Sequence, residues 1–335
     1  MKAIERILAT VILVVAAVGC HRTDQPIAIR GEAQGSYYSI LYYDAKGRHF
    51  DQAIDSLFNA FDKEVSLWVK ESLLQRVNSN RDSVVSPLFA DILQKSIDMN
   101  RYTGGAFDYR IGRIVQLWGF SIRTQTALSE DSLSSMLAAA RQPVTLQKNS
   151  NSWLLHKARE TELDFNAIAQ GYMSDRIGVF LTSNGIENFL IDVGGEVLAH
   201  GEKPDGSPWR VGIERPAKKR YDKQEVALAI ALRNQSVVTS GSYRKFYERD
   251  GIRYSHTIDP STGRPVTHSL LSVSVVDSTA WRADALATAF MVMGVDSALH
   301  FIAHHDPALP VFFIYDSAGQ QYCKSTPSFE KIIQP

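Results

Sequence analysis

Phe189-Leu-Ile-Asp-Val-Gly-Gly-Glu-Val-Leu-Ala-His200 reads as two short strands, 189–193 and 196–200, meeting at a glycine pair. Two glycines between apolar runs signal a hairpin or a bulge. Immediately upstream, 166–184 has helical apolar spacing and stops at Asn184-Gly185, a left-handed helix ending. Downstream, β-branched and aromatic runs predict strands at 209–213, 225–231, 236–239, 254–258 and 269–276. Helices follow at 280–293 and 297–304, then a late strand at 311–315. Toward the N-terminus, 36–43 reads as a strand. The periodicity of 51–69, 86–102, 109–117 and 129–140 predicts helices, with Ser86-Pro87 as cap and first-turn proline. Helices come early, strands cluster late, and no regular βαβ alternation is present. That order predicts an α+β fold with a mainly antiparallel or mixed sheet.

The bulk numbers agree with a soluble enzyme-sized chain. It has 335 residues, 44% of them hydrophobic and 21% charged, enough for a substantial core. Lys+Arg and Asp+Glu are equal at 36 each, which leaves no electrostatic footprint for nucleic acid. The first twenty residues stand apart. Lys2 and Arg6 precede an uncharged apolar run, 7–18, too short to span a membrane and of signal-peptide length. Ala17-Val18-Gly19-Cys20 resembles a bacterial lipobox, in which the cysteine becomes the lipidated N-terminus. The expected organisation is a lipoprotein signal peptide over 1–19, lipidated Cys20 with a short tether over 20–30, and one catalytic domain over 31–335. With Cys20 modified, Cys323 is left without a disulfide partner. The expected location is the bacterial cell envelope, anchored to a membrane and facing the periplasm. The inner membrane is favoured over the outer, a choice His21 and Arg22 do not decide.

Five segments break the periodic pattern with glycine beside polar residues. Gly31-Glu-Ala-Gln-Gly-Ser36 is a close-approach loop or a simple turn. In Thr103-Gly-Gly-Ala-Phe-Asp108, followed by Trp118-Gly119-Phe120, Phe107 or Trp118 could stack on a flat ligand. Asp108 there accepts from a ligand or caps the next helix. Asp164-Phe-Asn-Ala-Ile-Ala-Gln-Gly-Tyr172 leads into a helix whose start favours an anion, with Asp164 or Asn166 equally readable as an N-cap. The hairpin Ile191–Glu196 is the fourth. The fifth joins Val238-Thr-Ser-Gly-Ser-Tyr243 to His256-Thr-Ile-Asp-Pro-Ser-Thr-Gly-Arg-Pro265, where His256 is a base, a phosphate partner or structural. Beyond it, Asp284 and Thr288 lie four apart on one helix face. A carboxylate plus a hydroxyl suits magnesium, which takes oxygen ligands and few from protein. A dipole-favoured Asp in a first turn is the plainer alternative.

Taken together, TGGAFD with LWGF, DFNAIAQGYMSDR, IDVGGE, TSGSYRKFYERDG, HTIDPSTGRPV and ADALATAFMVMG resemble the ApbE-type FAD:protein FMN transferase family, in order, from about Gly31 to Gly294. The resemblance implies a single α+β domain with FAD as substrate in a central cleft and one Mg2+ on its pyrophosphate. It implies metal ligation by Asp284, Thr288 and the carbonyl of Ala167, and His256 as candidate base. Flavin-nucleotide contacts would come from Ala106, Phe107, Asp108, Asp164 and Ile258. Trp68 stands where the family often has an aromatic, and Gln34 lies in the first glycine loop. The chain departs from the family pattern at Gln34-Gly35-Ser36 (usually Met-Gly-Thr), at Gln170 (usually lysine) and at Ser242 (usually Asp). The implied reaction moves FMN from FAD to a Ser/Thr hydroxyl of an exported acceptor, a domain or subunit of a flavin-dependent electron-transfer complex, and releases AMP. The alternatives are a Mg2+-dependent FAD pyrophosphatase and a non-catalytic periplasmic FAD-binding lipoprotein.

Overall fold

The computed structural model describes residues 25–119, 129–150, 152–217, 225–242, 246–249, 252–255 and 257–334. The signal segment, Cys20 and His256 lie outside the described residues. Eight strands form the central sheet, in the order Ile27–Ala33, Ser36–Tyr42, Phe189–Val193, Glu196–His200, Gln235–Gly241, Leu270–Asp277, Val311–Ser317 and Gln320–Ser325. Every neighbouring pair is antiparallel. The opening hairpin is confirmed, with Val193 paired to Glu196 and Gly194-Gly195 at the turn, both at positive φ.

The sheet is buried on both faces, and the period-2 alternation of its strands shows how. Leu198, Val238, Val275 and Phe313 point into a large core shared with the helices. Their neighbours Val197, Val237, Val276 and Phe312 point the other way, against a second small sheet. That sheet runs in the order Ile333–Gln334, Glu225–Leu232, Trp209–Arg215 and contributes Trp209, Ile213 and Ile230 to the second core. The result is three layers: helices, the eight-stranded sheet, and a three-stranded sheet.

Most helices sit where their patterns predict, but the one read over 51–69 ends at Val65, where the Ser66 amide closes on the Asp62 carbonyl, and the short helix Leu73–Asn78 was not expected. Ser86 caps helix Pro87–Tyr102 by accepting from the Phe89 amide. Helix Ala280–Met293 packs on strands Gln235–Gly241 and Leu270–Asp277 and on helix Ala169–Ser183. It is buried on nearly every side, with Ala283, Ala285, Leu286, Ala287, Ala289 and Phe290 fully enclosed. Two starts are corrected. The helix read over 109–117 begins at Gly112, because Asp108 turns back on the Arg110 amide at 2.9 Å. The helix read over 166–184 begins at Ala169, because Asp164 takes the Asn166 amide at 2.8 Å and the Phe165 carbonyl takes those of Ile168 and Ala169.

The fold also reaches further back than the expected boundary at residue 31. Ile27–Ala33 is an edge strand in register with Ser36–Tyr42, so residues 27–30 of the expected tether belong to the sheet. Among the described residues, no helix is long and apolar enough to cross a membrane.

Candidate active site

Asp284 stands in the second turn of the buried helix. Its residue is 5% exposed, so its charge has almost no water. The bond to it comes from outside its own helix, the Gly171 amide donating to Oδ2 at 3.1 Å. In a regular helix that amide would go to the carbonyl of residue 167. Here it goes to Asp284, and among the described residues no amide donates to the Ala167 carbonyl. Thr288 lies one turn beyond Asp284, half-buried. The three groups named from sequence are therefore a buried carboxylate, a hydroxyl on the same helix face, and a carbonyl one turn before the amide that binds the carboxylate.

Close helix packing makes this arrangement possible. A Cβ at Gly171 would lie 2.4 Å from the Ala280 carbonyl oxygen and 2.8 Å from the Asp284 Cβ. Gly171→Ala is expected to force the two helices apart, lowering stability by about 1–3 kcal/mol and loosening the bond to Asp284. Thermal unfolding checks it, and a wild-type melting temperature would show that the contact can relax freely.

Burial holds the Asp284 carboxyl above the ordinary value of 3.8; the Gly171 amide opposes that, and the charge of Asp175 adds to it. Asp175 is raised too, chiefly by burial. A carboxyl raised in the folded state binds more protons folded than unfolded, so stability falls as pH rises through that window. The metal-free protein should melt at least about 2 °C higher at about pH 5 than at about pH 8. Asp284→Asn should shrink that difference and leave the part due to Asp175 and the other carboxyls that burial raises; an undiminished difference in that variant would assign all of it to other groups.

The glycine-marked segments are joined to one another by specific contacts, and one of them reaches Asp284 through the Gly171 amide. The Asp164 amide donates to the Tyr109 carbonyl at 2.8 Å, and Gly112 donates to Glu162 at 3.1 Å, which joins the TGGAFD and DFNAIAQG segments. Gln170 reaches the IDVGGE turn: a Cβ on Gly194 would lie 2.4 Å from its Nε2. The Trp118 indole donates to the Gly263 carbonyl at 2.8 Å, tying LWGF to the loop after His256. Ile258, in that loop, is buried against Ile111, Ile114 and Leu133. A cavity of about 280 Å³, lined by residues including His268, Gly294, Asp296 and Lys324, lies past the far end of the buried helix and holds none of these groups.

Several candidates occupy settings the sequence did not show. Phe107 is 1% exposed, so its ring is core and cannot stack on a ligand; its backbone, beside half-buried Ala106, is what it can offer. Asp108 does not cap the following helix. Its carboxylate is gripped by Arg110 at 2.9 and 2.7 Å. Trp118 is anchored to protein through its indole nitrogen. Asp164 is buried and raised by burial, and it serves as a turn-former through the Asn166 amide. Trp68, by contrast, is 62% exposed on the loop after helix Asp51–Val65 and has a free face.

Gln34 and Gly35 form the tip of the first hairpin, both at positive φ, as a two-residue turn requires. The Gln34 Nε2 donates to Asp62 at 3.4 Å, while its buried Oε1 has no hydrogen-bond partner among the described residues. Sequence reasoning missed Asp62 and Asp175, both charged residues inside ordinary helical patterns whose roles come from segments distant in the chain.

Fold and site together define a class: a single α+β domain whose glycine-marked segments are tied to one another and, through the Gly171 amide, to the buried Asp284. The chain belongs to the ApbE family, whose model matches residues 34–313. It is 32% identical over 320 residues to an FAD:protein FMN transferase of Vibrio cholerae, covering 92% of this chain and 93% of that one. It is likewise 32% identical to the FAD:protein FMN transferase of Escherichia coli K12, covering 94% of each. The fold is similar to the crystal structure of flavinyl transferase ApbE from Pseudomonas stutzeri, with a TM-score of 0.80 and 31% identity over 92% of this chain and 96% of that chain.

Proposed function

We propose that the protein transfers FMN from FAD to a serine or threonine hydroxyl of an exported acceptor protein, in a Mg2+-dependent reaction that releases AMP. The observation that carries the reading is Asp284: a nearly water-free carboxylate of one family motif, bonded by the Gly171 amide of another. Isolated burial of a charge is expensive, and a bound cation offsets it. The donors beside it are hard oxygens, the Thr288 hydroxyl and the Ala167 carbonyl. Among the described residues, no three His, Cys, Asp or Glu side chains are grouped to hold a metal. A donor set with one carboxylate fits magnesium, which keeps several waters and shares its sphere with substrate phosphates. When bound, the metal supplies charge neutralisation at the pyrophosphate.

The chain's own residues do the rest. In the reaction, the acceptor oxygen bonds to the FMN phosphorus, the bond from that phosphorus to the AMP oxygen breaks, and the hydroxyl proton leaves. His256 is the group we assign to take that proton. The exposed ring of Trp68 offers a surface to a flat heterocycle. The orphaned Oε1 of Gln34 offers an acceptor to a ligand N–H or O–H. Ala106 and Phe107 approach by backbone, while Asp108, Asp164, Gln170 and Ile258 build the walls. Phosphoryl transfer depends mostly on such positioning and on electrostatics.

The same proposal lipidates Cys20 and holds the domain at the bacterial envelope facing the periplasm, where the acceptor would be a domain or subunit of a flavin-dependent electron-transfer complex. The test is AMP release from FAD with magnesium, with and without acceptor. AMP that requires acceptor supports transfer. AMP at equal rate without acceptor makes the protein a pyrophosphatase, and bound but intact FAD makes it a carrier.

A further inference from the structure

Helix Ala280–Met293 has an unusual start. Thr279 occupies its N-cap position, yet its side chain makes no capping bond. Two amides of the first turn are satisfied from another helix. Asp175 accepts from the Ala280 amide through Oδ1 and from the Trp281 amide through Oδ2, each at 2.9 Å. Asp277, just before the helix, takes the Thr279 amide and the Ser278 hydroxyl, each at 3.2 Å, and is engaged by Arg282.

Asp175 lies four residues after Gly171, on the same face of helix Ala169–Ser183. The two positions therefore grip one stretch of the neighbouring helix. Gly171 sets how closely the helices approach, through its contact with Ala280, and donates its amide to Asp284. Asp175 fixes where the second helix begins, by a bidentate bond to two consecutive amides. Asp284 follows one turn after Ala280, so a fixed first turn fixes the carboxylate. A charged acceptor on backbone N–H groups makes a strong bond, and an anion suits a helix start. The arrangement persists although burial opposes charge on Asp175.

From this geometry we infer that Asp175 is a positioning residue for the metal site, holding Asp284 in register with the Ala167–Gly171 turn so that the oxygen ligands are aligned before a cation arrives. Groups that orient a metal ligand are commonly worth 10- to 100-fold in metal affinity. The inference rests on the reading of Asp284 as a metal ligand.

Mn2+ serves as the probe, counted by electron paramagnetic resonance on the full chain with FAD present. All variants are measured well below their melting temperatures, with folding checked by circular dichroism. Asp175→Ala is expected to weaken Mn2+ binding by about tenfold or more, with FAD affinity in chelator unchanged. Asp175→Asn, which keeps one acceptor oxygen, should fall between the two, and it decides the question if the alanine variant does not fold. Asp284→Ala should bind no Mn2+ at this site. Wild-type Mn2+ affinity in folded Asp175 variants, with binding lost in Asp284→Ala, overturns the role of Asp175 and leaves the metal site standing. Wild-type affinity in Asp284→Ala overturns the metal site itself, and the inference with it.

Discussion

Asp284→Ala is expected to lower FMN transfer by about 10³-fold or more, while the protein folds as well as wild type. Charge stabilisation by a metal contributes several kcal/mol to a phosphoryl-transfer transition state, and each 1.4 kcal/mol is about a factor of ten. The substitution removes the one carboxylate of the proposed donor set. Stability should move differently. The carboxylate is desolvated and held above its ordinary value, so its removal relieves a burial penalty in the metal-free protein. The opposing loss is one bond, from the Gly171 amide. Transfer assays and thermal unfolding of the same preparation check both halves. Activity and metal dependence that persist in this variant would take Asp284 out of the site.

His256→Ala is expected to lower turnover by about 10²- to 10⁴-fold, the range of general acid–base catalysis, with little change in FAD affinity. The residues that follow His256 form a firm mount. The Gly263 amide donates to the Asp259 carbonyl at 2.7 Å, and the Val266 amide to the Thr257 carbonyl at 3.0 Å. The Asp259 carboxylate takes both the amide and the hydroxyl of Ser261. Ile258 is buried, and Trp118 holds Gly263 from outside the loop. A proton-transfer role acts in the chemical step rather than in holding FAD, so the effect belongs in kcat. Turnover equal to wild type would remove the proton-transfer role. A matching rise in the FAD dissociation constant would make His256 a binding residue.

Much of the fold was legible because local signals and tertiary packing agree. The 189–200 hairpin has strand-forming runs around a glycine pair, and both glycines take the positive φ that the turn needs. Ser86-Pro87 and Ser129 start their helices as read, Ser86 accepting from Phe89 and Ser129 from Ser132. Reading failed where a distant partner competes for a local group. The helix expected from residue 166 starts late because Asp164 and Phe165 capture its first amides, and its Gly171 amide is drawn to Asp284. Residues 27–30 of the edge strand Ile27–Ala33 passed for tether, because Gly31 breaks its apolar alternation and the strand has only one sheet neighbour, Ser36–Tyr42. At Gly31 the chain lies against the Tyr38 ring so closely that a Cβ would come within 2.6 Å.

The site was legible in the same uneven way. Asp284 and Thr288 stood out as a carboxylate and a hydroxyl at helical spacing, while the burial of Asp284 appears only in the fold. Phe107 looked like a stacking ring from its neighbouring glycines, but only packing reveals that its ring is core. Asp108 looked like a cap, but Arg110 two residues on takes both its oxygens. Asp175 stands inside the DFNAIAQGYMSDR motif, but nothing local gave it a role: its partners are 105 and 106 residues away in sequence.

The central claim, that this site moves FMN from FAD onto protein, is tested most directly by the intact mass of a candidate exported acceptor after incubation with the protein, FAD and magnesium. The account predicts a gain of one FMN joined by a phosphoester, one equivalent of AMP, and loss of both in Asp284→Ala. AMP without a mass gain across several acceptors, or FAD left whole, would contradict it.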